Sequence, residues 1–142
     1  MNLKNLFIKH KSDKYVHQYY KVYENYLGLL KKKKLHILEI GIDDGSSIRA
    51  WSEYFVNSKI IGIDIKKINL KKKKLNKKNI EIHCGSQSDK IFIYSLIKIY
   101  KKFDIIIDDG SHYPKDVIKT FKILFNSLNL DGFYFIEDTQ TS

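Results

Sequence analysis

The stretch Leu35-His36-Ile37-Leu38-Glu39-Ile40-Gly41-Ile42-Asp43-Asp44-Gly45-Ser46-Ser47 reads as a short strand running straight into a polar, glycine-spaced turn. Leu35 to Ile40 is the first strand candidate. Gly41 and Gly45 let the backbone turn sharply and approach a ligand closely. A helix is expected from Ile48 to Val56, with Ser46 or Ser47 placed to cap it and free N–H groups at its start.

The same alternation continues downstream. Lys59 to Asp64 and Ile80 to Cys84 form two further strand candidates. Asp89 to Lys102 has helical spacing, with Ile93, Leu96, Ile97 and Tyr100 on one face. Phe103 to Asp108 is a fourth strand, and its Ile105-Ile106-Ile107 run suits burial on both faces. Pro114 fits the first turn of a helix that continues through Val117, Ile118, Phe121, Leu124, Phe125 and Leu128. Asp131-Gly132 makes a turn into a fifth strand, Phe133 to Ile136. Strands alternating with helices imply a parallel sheet with right-handed crossovers. The fold class is α/β, Rossmann-like, doubly wound and mainly parallel.

Upstream, Tyr15, Val16, Tyr19, Tyr23, Tyr26, Leu27 and Leu30 mark one amphipathic helix. Its aromatic stripe suits packing against the domain better than a wall for a ligand. The chain divides into a helical arm, residues 1–33, and a core, residues 34–142, within a single domain.

Composition narrows the function classes. The sequence has 142 residues, a size that suits one compact domain. No apolar run approaches the roughly 20 residues needed to span a bilayer, and the Leu6-Phe7-Ile8 triplet is too short for a signal peptide. Cys84 is the single cysteine, which excludes a disulfide framework and a thiolate zinc cluster. A cytoplasmic location is the expectation. The formal charge is +10, yet Arg49 is the sole arginine among 26 basic residues. Specific phosphate and base recognition favours the planar arginine fork, so the composition speaks against a nucleic-acid partner. The lysine runs 31–34 and 71–74 read as solvated surface.

Chemistry is expected beyond the carboxyl ends of the strands, where open parallel sheets bind ligands. Polar residues gather there: Asp43 and Asp44 after the first strand, and Asp64, able to accept ribose hydroxyls, at the second. Gly85-Ser86-Gln87-Ser88-Asp89 follows the third, Asp108-Asp109-Gly110-Ser111-His112 the fourth, and Glu137-Asp138-Thr139-Gln140 the fifth. The first loop lacks the full G-x-G-x-x-G pattern, which argues against a dinucleotide site. If the fourth and fifth strands are neighbours, Asp109 and Asp138 converge on one hard cation, and oxygen ligands favour Mg²⁺ over zinc. His112 is within reach of the same pocket, as a base near neutral pH or as a loop residue that only hydrogen-bonds.

The segments Glu39 to Ser47, Asp64, Gly85 to Asp89, Ile107 to His112 and Ile136 to Ser142 together resemble the macrocin and mycinamicin type of sugar O-methyltransferase, within the class I S-adenosylmethionine-dependent enzymes. Lys11-Ser-Asp-Lys14, His17 and Tyr20 look like the N-terminal signature of that family. The resemblance implies methyl transfer to a hydroxyl of a sugar-containing small molecule or glycan precursor. It implies Mg²⁺ held by Asp109 and Asp138, with Glu137 or Asp108 as further candidate ligands, and His112 as general base. It implies S-adenosylmethionine lying along Glu39, Gly41, Gly45, Ser46, Asp64, Gln87, Ser88, Asp89 and Asp108. Such enzymes continue past the fifth strand with a helix and a terminal strand pair, whereas the sequence given stops at Ser142. The expectation is therefore a core whose C-terminal strands are missing, with a sheet edge that a homo-oligomer could cover. An RNA methyltransferase, and a non-catalytic remnant that binds cofactor or a partner, are the alternatives.

Overall fold

Runs of isoleucine build most of the sheet, because β-branched side chains pack well on a pleated surface. In a computed structural model describing residues 1–141, five strands form: β1 (His36–Ile40), β2 (Lys59–Asp64), β3 (Ile80–Cys84), β4 (Phe103–Asp108) and β5 (Leu128–Ile136). Ser142, the last residue of the fifth-strand motif, lies outside the described residues. The sheet is wholly parallel, in the order β3-β2-β1-β4-β5. Strand order reverses beside β1, which places a crevice above the carboxyl ends of β1 and β4.

Alternation along each strand divides the core into two layers. Ile37, Ile60, Ile105 and Ile107 face one side, while Leu38, Ile61, Ile63 and Ile106 face the other. The second layer is closed by α4 (Lys90–Tyr100) and α5 (Pro114–Leu124) through Ile93, Leu96 and Leu124. The first is closed by α3 (Ser46–Tyr54) together with the N-terminal segment. That segment forms α1 (Leu3–His10), a 3₁₀ turn at Asp13–Tyr15, and α2 (Tyr19–Leu27). Phe7 and Tyr23 meet the buried Trp51 edge to face, at centroid distances of 5.1 and 4.9 Å. Leu3, Leu6, Phe7, Tyr23 and Leu27 are all buried, so the N-terminal segment is built into the core.

Three local expectations are corrected. The single helix expected to run from Tyr15 to Leu30 begins only at Tyr19, because Gln18 adopts a left-handed backbone (φ 59°). Neither Ser46 nor Ser47 caps α3: Gly45 stands at the cap with φ 77°, and the Ser47 hydroxyl donates to buried Glu39 instead, at 2.8 Å. Asp131-Gly132 is not a turn before β5 but lies within it. There the pairing with β4 shifts register between Phe103/Leu128 and Ile105/Phe133. No helix among the described residues is long and apolar enough to cross a membrane.

Glu53 ties this face together. Its carboxylate accepts from Lys9 Nζ of α1 at 2.7 Å and from Lys77 Nζ at 3.2 Å, and it contacts His10 Nε2 at 3.0 Å. Partial burial opposes the charged form, but the two lysine hydrogen bonds prevail and hold the carboxyl down at about 2. A depressed carboxyl pKa stabilises the fold above its unfolded value of 4.5, and the effect fades as pH falls toward the folded value. Glu53→Gln should therefore lower the urea midpoint at pH 7. The gap from the parent should narrow steadily on acidification below pH 4.5. A gap that does not vary with pH would rule out this account of the cluster.

Candidate active site

The rim of the sheet is assembled before any ligand is considered. Beyond the strand ends the parallel ladder continues as four hydrogen bonds of 2.9 Å: Gly85 N–H to Asp64 O, Gly41 N–H to Ile63 O, Asp109 N–H to Ile40 O, and Glu137 N–H to Asp108 O. Each loop is thereby fixed to its neighbour. Gly41 sits at φ 78°, so tightly against the carbonyl of Asp109 that a side chain would collide with backbone.

Three side chains converge above β4 and β5. Asp109, His112 and Asp138 each offer a ligand atom within 4.8 Å of the others. His112 Nε2 is 3.7 Å from Asp109 Oδ1 and 4.0 Å from Asp138 Oδ2. The opposite carboxylate oxygens are engaged elsewhere: Asp109 Oδ2 accepts from Lys14 Nζ at 2.7 Å, and Asp138 Oδ1 from the Tyr19 hydroxyl at 2.5 Å. Each aspartate uses one oxygen to fix its orientation and turns the other toward the shared centre. Such outer partners commonly orient metal ligands. His112 and Asp138 also hold left-handed backbones, φ 58° and 53°, and so does Asp43 at 43°. Left-handed geometry at a side chain other than glycine costs free energy and concentrates at functional sites.

Lys14 lies beneath this centre, with 1% of its surface exposed. Its ammonium contacts Asp109 and Glu137 at 2.7 Å and Glu39 at 3.2 Å. Burial disfavours its charge, but the three carboxylates outweigh burial and keep it protonated. Glu137 also accepts from the Tyr23 hydroxyl. Burial pushes the Glu137 carboxyl up to about 8 against the pull of Lys14, with Asp109 adding repulsion.

A trough runs from this centre across the tops of β1, β2 and β3, as two adjoining hollows of about 420 and 370 Å³ that share Gly41, Asp64 and Gly110. The hollow nearer the three side chains is lined by Asp43, Asp44 and Ser46. The farther one is lined by Ile63, Ile65, Ser86 and Ser88. Asp64 accepts the N–H groups of Ile42 and Asp43 on Oδ2 and of Lys66 on Oδ1. It therefore shapes the first loop as well as facing the trough.

Several expected site residues play other parts. Glu39 is completely buried and binds Ser47 and Lys14, so its carboxylate does not reach the trough. Asp108 is also interior. It accepts from the Gln87 amide at 3.2 Å, and burial raises its carboxyl. The Gln87 oxygen accepts from Ser111 N–H at 2.7 Å, which braces the Asp109–His112 loop. Asp89 caps α4 by accepting from the Ile91 and Phe92 N–H groups, and it does not line the trough. Glu137 and Asp108 stand outside the group of three that could hold an ion. Gly41, Ser46, Asp64, Gln87 and Ser88 do line the trough; Gly45 shapes its edge. Sequence reasoning gave Lys14 no role of its own and Tyr19 and Tyr23 only a packing role. The one available signal was that Lys14 falls within the N-terminal segment where the resemblance was noted.

No family model matches the chain. It is 34% identical to 8-demethyl-8-alpha-L-rhamnosyl tetracenomycin-C 2'-O-methyltransferase of Streptomyces olivaceus, over 99% of this chain and 38% of that protein. It is 33% identical to L-olivosyl-oleandolide 3-O-methyltransferase of Streptomyces antibioticus, with the same coverage. The structure of a methyltransferase from the mycinamycin biosynthetic pathway, in complex with Mg, SAH and mycinamycin VI, superposes with a TM-score of 0.91 at 29% identity. That match covers 99% of this chain and 40% of the other. The chain thus spans about two fifths of the length of these relatives, of which the first two are O-methyltransferases by name and the third a methyltransferase.

Removing one partner from a buried charge cluster leaves the rest uncompensated, typically at a cost of about 3–5 kcal/mol. Lys14→Met should destabilise the protein by about that amount in urea titration. A loss below about 1 kcal/mol, the range of an exposed ion pair, would mean that Lys14 does not hold the rim together.

Proposed function

We propose that this chain is the cofactor- and metal-binding part of an S-adenosylmethionine-dependent O-methyltransferase whose acceptor is a sugar hydroxyl. The convergence of Asp109, His112 and Asp138 at one end of the trough carries this reading. The names of the relatives, and the Mg and SAH in the mycinamycin-pathway structure, support it.

Two carboxylate oxygens form a donor pair that suits a hard divalent ion such as Mg²⁺, and they leave the imidazole for proton transfer. Asp109 and Asp138 would hold it, and it would lower the pKa of a nearby hydroxyl and orient it. The trough takes the methyl donor. Asp64 and the Gly41 loop face its ribose and methionyl portions, and the hollow walled by Ile63, Ile65, Ser86 and Ser88 suits the adenine. The acceptor oxygen attacks the methyl carbon as the carbon–sulfur bond breaks. The sulfonium becomes a neutral thioether, so the leaving group needs no acid. The hydroxyl proton goes to His112. Holding both reactants in line contributes through orientation, for which the strained, braced His112 loop is suited.

A second reading has an observation of its own. His112 Nε2 faces both aspartates, so His112 can serve as a third ligand instead of the base.

His112→Ala should slow methyl transfer to sugar acceptors by roughly a hundredfold or more, the usual worth of a general base. Calorimetry should show nearly unchanged affinity for S-adenosylhomocysteine and Mg²⁺. Loss of Mg²⁺ affinity would transfer His112 to the ligand role, and unimpaired turnover would remove it from the mechanism. Asp138→Asn should weaken Mg²⁺ binding while the fold is retained. Equal Mg²⁺ affinity in that variant would defeat the metal assignment.

A further inference from the structure

Beside the trough lies a second cleft, of about 540 Å³, that joins it through the shared residues Lys11 and Asp44. The two differ in charge. The hollow around the three side chains is walled mainly by aspartates, six of them from Asp13 to Asp138, against Lys11 and Lys66. The cleft is walled by Lys9, Lys11, Arg49, Lys72, Lys73, Lys74 and Lys77, against only two carboxylates. Glu53 is engaged by Lys9 and Lys77, and Asp44 by Arg49 at 3.7 Å and by the Ser46 N–H at 2.8 Å. Among the described residues, Lys11, Lys72 and Lys74 form no ion pair with a carboxylate, and Lys73 acts on Asp44 only at longer range.

The lysine run 71–74 is solvated surface as expected, with Lys71, Lys72 and Lys74 exposed, but its backbone is held beside the site. Arg49 Nη1 donates to the carbonyls of Lys73 and Asp44, at 2.8 and 3.0 Å, clamping the run to the first loop. Leu75 is buried against Gly45, at the start of α3. Lys74 has a left-handed backbone, φ 56°, and the turn is closed by Lys72 N–H to Asn69 Oδ1 and Leu75 N–H to Leu70 O. Lys72, Lys73 and Lys74 all line this one cleft, and like charges on a shared wall repel one another. A loop that holds them beside a catalytic trough is suited to a multiply charged anion. The run 31–34, by contrast, precedes β1 at the far end of the sheet.

We infer that the acceptor carries a phosphate or pyrophosphate ester, seated on the Lys72–Lys74 turn while its sugar hydroxyl enters the trough. This inference rests on the methyl-transfer reading and adds the substrate class: a sugar phosphate or a nucleoside diphosphate sugar. Two or more negative charges are needed to answer the lysines, and the cleft has room for more than one phosphate group.

The test is calorimetry on the full chain, saturated with S-adenosylhomocysteine and free of divalent metal, so that phosphate cannot bind through an ion. The probes are pyrophosphate, glucose 1-phosphate, UDP-glucose and methyl glucoside. The variant Lys72→Gln/Lys73→Gln/Lys74→Gln should bind the phosphorylated probes at least about tenfold more weakly, because charge-assisted contacts are lost. The control Lys32→Gln/Lys33→Gln/Lys34→Gln should stay within about twofold, being distant and screened. Tighter binding of UDP-glucose assigns the pyrophosphate, and tighter binding of glucose 1-phosphate the monoester. Equal losses in both variants, or methyl glucoside binding as well as UDP-glucose, would overturn the inference. So would a short RNA that displaces pyrophosphate and is weakened equally by both variants. Unchanged S-adenosylhomocysteine affinity in the variants shows that they are folded. If the parent fails to bind S-adenosylhomocysteine, it is the methyl-transfer reading that falls, and the phosphate measurements are then read without it.

Discussion

One buried ammonium organises the site. Lys14 comes from the N-terminal segment, yet its three partners lie on β1, just past β4 and just past β5. Attraction between charges strengthens as water is excluded, but so does the penalty for any charge left alone. The four groups are tolerable only together. The rim therefore cannot take its form until the residues before α2 have docked, and the docked segment brings Tyr19 and Tyr23 with it to Asp138 and Glu137. The arm is thus a structural part of the site's rim.

The paired acidic residues at the ends of β4 and β5 show how this is achieved. Strand side chains alternate between faces. At Asp108-Asp109 and again at Glu137-Asp138 the first carboxylate turns inward and the second faces the trough. The inner members answer Gln87 in one case, and Lys14 with Tyr23 in the other. The outer members carry the proposed chemistry. Both motifs thus combine a brace and a ligand, and neither could be halved without loss. The left-handed backbones of His112 and Asp138 are the local strain that this arrangement stores.

Much of this was legible beforehand. The isoleucine run at 105–107 signalled a strand buried on both faces, and such a strand implies helices on both sides. That in turn brought Asp109 and Asp138 side by side, since β4 and β5 pair. Periodicity could not tell which member of an acidic pair points inward. Glu39, Asp108 and Asp89, expected along the cofactor, have carboxylates that engage Lys14, Gln87 and the start of α4, which spacing alone does not reveal. Lys14 was invisible as a structural cation because its partners are 25 to 123 positions away, and a lysine among so many gives no local sign of burial. The break at Gln18 and the register shift in β5 are tertiary outcomes as well.

In the proposed site Asp109 and Asp138 hold one divalent ion at the end of the trough, with His112 beside it. Crystals soaked in Mn²⁺ and measured at a wavelength where manganese scatters anomalously test it directly. The account predicts one strong peak within coordination distance of Asp109 Oδ1 and Asp138 Oδ2, the oxygens turned toward His112. A peak elsewhere in the molecule, with none between those side chains, would contradict it.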